Sequence, residues 1–151
     1  NFKHVGHIQS SEEKAAYVQG IEQLKRNFHG VATQYFSQAL FSKTTPAEVK
    51  QRILNDVSHV DTTIAAACME PDDFDEANEL AAVNKKLYLI NSDAKPTDTT
   101  GFITHGLPYQ LFSISGTGHF PMVEKPEDFN RLLNQALSAM TTDAGDNRGR
   151  Q

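Results

Sequence analysis

Cysteine is nearly absent from this chain. Cys68 stands alone among 151 residues, so no disulfide can close within the chain and the redox compartment stays open. Long apolar runs are absent too. No stretch approaches the ~18 residues that a membrane-crossing helix needs, so no bilayer span is expected. Positive charge is scarce: 14 Lys and Arg stand against 19 Asp and Glu, a net charge of −5 with both signs interspersed. No basic patch marks nucleic acid or an anionic membrane as a partner. The chain also opens on Asn1 rather than methionine, and the expectation is that something was removed upstream or that the sequence is a piece of a longer chain.

What is present is enough for one ordinary domain, with 38% apolar residues. The first two-fifths carries helical spacing. Ser10 and Glu13 fit a capping box, and Val18, Ile21, Leu24 and Phe28 follow at helical intervals. His29-Gly30 is expected to break that helix, with a second one carrying Val31, Tyr35, Phe36, Ala39 and Leu40. Thr45-Pro46-Ala47-Glu48 is a start signal with Thr45 as the cap, and Val49, Ile53 and Val57 form the buried stripe after it. Asp61 can cap a short alanine-rich helix that Pro71 ends, and residues 74–82 form another short helix. The acidic stretch EPDDFDE between them reads as a solvated helix start.

The texture then changes. Leu87-Tyr88-Leu89-Ile90 is an apolar run without helical gaps, which predicts a strand buried on both faces over residues 86–91. Residues 98–106 read as a short helix or turn, and 109–115 (YQLFSIS) as a second strand. Phe129, Leu132, Leu133, Ala136, Leu137 and Met140 predict an amphipathic helix over 126–140, started by Pro126 with Glu127 and Asp128 in its first turn. The final TTDAGDNRGRQ is nearly devoid of apolar residues and predicts a disordered tail over 141–151. Strand, helix, strand, helix implies an α/β arrangement with parallel strands. A parallel pair alone is not self-sufficient, so these strands are expected to edge a larger sheet.

Two polar groups occupy equivalent places. Asp93 follows the first strand in LINSDAKPT, and His119 follows the second in SISGTGHF. Ligands of open parallel sheets gather beyond the carboxyl ends of the strands, and neighbouring strands lie about 5 Å apart. A carboxylate beside an imidazole fixes its tautomer and makes it a competent general base. The plain alternative is that Asp93 makes an Asx-turn and His119 merely packs.

LYLINSDAKPT followed by SGTGHFPMVEKPEDFNRLL resembles the C-terminal end of an α/β-hydrolase of the esterase and lipase-like superfamily. The similarity covers residues 86–140, and its most specific part is Gly116-Thr117-Gly118-His119-Phe120 with the later Glu124-Lys125-Pro126. The resemblance implies an α/β-hydrolase-type fragment: a helical cap over residues 1–84, then the last two parallel strands and C-terminal helix of the core over 85–140. It implies that His119 and Asp93 are catalytic members of a Ser–His–Asp triad acting on a small-molecule ester or similar acyl substrate, with no cofactor. It leaves the nucleophile unassigned. None of the serines has glycines two before and two after it, as a nucleophile elbow requires. The expectation is that the serine and the oxyanion hole lie upstream of this chain. Alternatives are a relative that binds a small ligand without catalysis, and hydrolases of other chemistry: haloalkane dehalogenase, epoxide hydrolase or C–C hydrolase.

Weaker candidates complete the set. Tyr35, Phe36 and Phe120 are candidates to line a substrate pocket, and Phe28 and Phe41 share the same aromatic stretch of the helical part. At helical spacing, plain packing within the cap is the favoured reading of that set. His4 and His7 lie three apart, and His59 with Asp61 could join them, but spacing dictates no third ligand and no metal is expected. Oligomeric state is open.

Overall fold

A computed structural model describes residues 10–70 and 75–146. The order of elements follows the two textures of the sequence. Helices α1 (Ser11–Arg26), α2 (Phe28–Tyr35), α3 (Ala47–Ser58) and α4 (Thr62–Ala67) come first, with a π-helical turn over Phe36–Leu40 continuing α2. Then come α5 (Glu76–Val83), β1 (Leu87–Ser92), α6 (Thr100–Thr104), β2 (Tyr109–Ile114), α7 (Pro121–Glu124) and α8 (Pro126–Asp146).

The Ser10–Glu13 capping box forms as the spacing requires: Ser10 Oγ accepts the Glu13 N–H at 3.2 Å and Glu13 Oε2 accepts the Ser10 N–H at 2.7 Å. The break after α1 falls earlier than His29-Gly30. It lies at Asn27, whose side chain accepts the Gly30 N–H at 3.2 Å, so His29 and Gly30 sit inside α2. An Asn side chain capping the next turn is a stronger reason to restart a helix than a single glycine is to end one. Asp61 does cap α4, its Oδ1 accepting from the Thr63 and Ile64 N–H groups. Thr45 does not cap α3. Pro46 takes that position, and the Thr45 hydroxyl turns to a partner in the other half of the chain.

β1 and β2 pair in parallel, in register from Leu87 opposite Tyr109 to Ser92 opposite Ile114. Side chains alternate across the pair. Leu89 on one face joins Ala77 of α5, Phe102 of α6 and Leu107 in the buried core, with Leu87, Tyr109 and Leu111 packed against it. Tyr88, on the opposite face, reaches Asp143 of α8. The strands are thus sandwiched between α5–α6 and α8, which gives a mixed α/β fold.

Helix α8 runs six residues beyond the expected end at residue 140. The expectation of disorder over 141–151 fails for its first part. The Thr141 and Thr142 hydroxyls bond back to Leu137 and Ser138 carbonyls, and Asp143 pairs with Lys86 at 2.9 Å. Polar anchoring, invisible to a search for apolar periodicity, holds this turn. Of the apolar stripe, Leu132 and Ala136 are buried, whereas Leu133, Leu137 and Met140 stay exposed.

Candidate functional site

His119 lies on the turn between β2 and α7, past the carboxyl end of the sheet. The turn is fixed residue by residue. Gly116 adopts φ +67, a left-handed conformation that disfavours side chains. Its N–H donates to Asp93 Oδ1 at 2.9 Å, and its carbonyl accepts the Thr44 hydroxyl at 2.9 Å. Lys125 Nζ donates to the Ser115 carbonyl at 2.8 Å. The Thr117 side chain is fully buried, and its Oγ1 finds no hydrogen-bond partner. Gly118 donates to both oxygens of Glu124, each at 2.9 Å, and Phe120 N–H donates to Glu124 Oε1 at 3.2 Å. His119 N–H donates to the Leu40 carbonyl at 2.7 Å.

The His119 ring meets Phe120 edge to face, with centroids 5.2 Å apart, and is exposed to solvent. It lines a pocket of about 560 Å³ together with Ser92 at the end of β1, Ala94 and Lys95 from the loop after it, and Tyr35, Leu40, Phe41, Ser42 and Lys43 from the helical part. The loop after β1 therefore does come to the histidine. Its members in the pocket wall are Ala94 and Lys95, next to Ser92 at the strand end. The Asp93 carboxylate between them is engaged by the Gly116 N–H, where it braces the turn that carries His119. A second carboxylate of that loop, half-buried Asp98, accepts the Thr100 N–H at 2.9 Å.

A second cavity, of about 540 Å³, opens among α1 to α4. Its wall is almost wholly apolar. Tyr35, Phe36 and Phe120 all line it, so the three aromatic candidates come together. Phe28 joins them, whereas Phe41 faces the histidine pocket. Phe120 stacks on Phe36 with centroids 5.9 Å apart and leans on Phe41 at 6.1 Å. Tyr35 belongs to both walls, and Phe120 follows His119 directly in the chain. The histidine pocket and the apolar cavity are therefore neighbours.

His4 and His7 lie outside the described residues. His59 Nδ1 lies 2.8 Å from the Asn55 carbonyl and 3.1 Å from the Ser58 hydroxyl, and Asp61 is engaged as a helix cap. Among the described residues, no group of three or more His, Cys, Asp or Glu side chains could hold a metal ion, and no helix is long and apolar enough to cross a membrane.

Two residues at the turn escaped the sequence reading in this role. Glu124 enters only as part of the Glu-Lys-Pro signature, yet it is a buried carboxylate holding the histidine turn. Thr45 has the signature of a helix cap and instead donates to Glu124 Oε2 at 2.5 Å across the molecule. The Thr45–Glu124 bond joins residues far apart in sequence, and the bonds from Gly118 and Phe120 to Glu124, though short in range, match no helix or strand pattern. In comparison with known proteins, the chain matches no family model and no curated protein.

Proposed function

We propose that these residues form the histidine-bearing part of a serine hydrolase that cleaves an ester or similar acyl substrate. The observation that carries the reading is the side-by-side placement of the His119 pocket and the aromatic cavity, with Tyr35 common to both. An acyl-transfer site needs a proton carrier where the carbonyl reacts and an apolar recess for the remainder of the substrate. His119 takes the proton of a serine and returns it to the leaving group. Phe36, Phe120 and Phe28 receive the apolar portion. The nucleophile comes from residues outside this sequence, since none of its serines occupies an elbow.

Asp93 keeps its proposed role as the acid that orients His119, and its bond to Gly116 gives it a second role in the turn. The reading is tested on the reading frame that contains this sequence. With an activated ester, a serine esterase should give a burst of acyl-enzyme, and His119→Ala should remove most turnover because an unassisted hydroxyl is a poor nucleophile. Wild-type turnover in that variant refutes the assignment. A second reading, binding of a small apolar ligand without catalysis, is favoured by the apolar cavity itself. It predicts saturable binding with no burst.

A further inference from the structure

Hydrogen bonds between the helical part of the chain and its α/β part meet at the histidine turn. Among the described residues, His119 N–H reaches Leu40, Thr44 reaches Gly116, and Thr45 reaches Glu124. We propose that Thr45 and Glu124 form a clasp that sets His119 relative to the aromatic cavity, which makes both of them positioning residues.

The chemistry of the clasp is that of a buried carboxylate. Glu124 is only 8% exposed, and an acid so placed needs donors around both oxygens. It has them: Gly118 N–H on both oxygens, Phe120 N–H on Oε1 and the Thr45 hydroxyl on Oε2. The two backbone donors flank His119, whose own N–H is held by Leu40 at 2.7 Å. Three successive N–H groups are thereby fixed, and with them the direction in which the imidazole leaves the backbone. Thr45 supplies the donor from the helical part, and its Oγ1 also accepts the Ser42 N–H at 2.8 Å, which anchors the 42–45 loop.

The clasp leaves no slack. A Cβ on Gly118 would lie 2.3 Å from the Leu40 carbonyl oxygen and 2.8 Å from the Ser42 nitrogen, so the two parts touch backbone to backbone. Phe120, one residue beyond His119, stacks on Phe36 and lines the cavity. A molecule that displaces these rings therefore acts on the same backbone that carries the histidine. The consequence for rate rests on the hydrolase reading, but the positional claim does not.

The test compares wild type with Thr45→Val, Thr45→Ser and Glu124→Gln by amide hydrogen exchange and by the NMR signals of the His119 ring. Thr45→Val keeps the shape and removes the donor. It should speed exchange at residues 118–120 at least tenfold and move the ring signals, while β1, β2 and α8 are unchanged. Thr45→Ser should restore both. Unchanged exchange and ring signals in Thr45→Val overturn the clasp, and so does a rise spread evenly over all elements, which marks loss of stability alone. Should Glu124→Gln fail to fold, the Thr45 pair decides. Where the wild type turns over an ester, Thr45→Val should lower kcat with KM unchanged. A wild type without turnover counts against the hydrolase reading and leaves the exchange result to judge the clasp.

Discussion

Replacing Gly118 by alanine tests a close backbone contact between the helical and α/β parts of the chain. The added methyl would sit 2.3 Å from the Leu40 carbonyl oxygen, 2.8 Å from Ser42 N and 3.0 Å from Glu124 Oε1. The first two are backbone atoms and cannot swing aside. To reach an ordinary non-bonded distance, the Leu40 carbonyl must retreat by roughly 1 Å. That movement breaks the 2.7 Å hydrogen bond it accepts from His119. Overpacking of this kind costs about 1–3 kcal/mol, and each hydrogen bond lost adds about 1 kcal/mol. With the Gly118–Glu124 bond also disturbed, a total of about 3–5 kcal/mol follows. Urea denaturation followed by far-ultraviolet circular dichroism reads this as a midpoint lowered by about 2 M, for a slope of about 1.5–2 kcal/mol per molar. Gly20 provides the control. It lies inside α1 with no atom within 4 Å of its would-be Cβ, so Gly20→Ala should stabilise by about 0.5–1 kcal/mol through helix propensity. A Gly118→Ala midpoint indistinguishable from wild type would refute the close-contact reasoning, as would an equal fall in Gly20→Ala.

Asp93 separates turn-bracing from imidazole orientation. The amide oxygen of an asparagine at this position can still accept the Gly116 N–H, so Asp93→Asn should spare stability, and Asp93→Ala should lower it by about 1–2 kcal/mol in a melt. If Asp93 also orients His119 in an ester-cleaving enzyme, Asp93→Asn should still cut kcat sharply; if Asp98→Asn does so instead, the acid is misassigned. Thr117→Val should leave stability unchanged or raise it by about 1 kcal/mol, because it deletes a buried hydroxyl without a partner, and a clear loss would mean the hydroxyl is satisfied in solution. The Asp143 carboxyl is held below its ordinary 3.8 by the Tyr88 hydroxyl bond and then by Lys86. A carboxyl depressed in the folded state stabilises above its unfolded value and loses that contribution as pH falls through the folded one. The advantage of wild type over Asp143→Asn in denaturant midpoint should therefore be full above about pH 5 and shrink progressively as pH falls below the ordinary carboxylate value. The same midpoint gap at about pH 2.5 and about pH 6 would refute it.

The chain's own sequence determined most of its local architecture. The Ser10–Glu13 box, the Asp61 cap, the two apolar strand segments and the Pro126 helix start are all short-range patterns. Each stabilises its element from within a few residues, so each is legible without a fold. The parallel pairing of β1 and β2 was legible too, because a strand–helix–strand order leaves one common topology. His119 could be singled out by residue type on a glycine turn, although its chemistry could not be fixed by that alone. Tertiary structure decided where the polar side chains point. Asp93 goes to Gly116, Thr45 leaves its helix for Glu124, and Asp143 turns an unpatterned tail into the last turn of α8. The physical reason is range. Apolar periodicity and caps repeat over a few residues, whereas a hydrogen bond between residues 45 and 124 exists only after two segments have met. The junction of the helical part with the α/β part at the histidine turn is a product of that meeting.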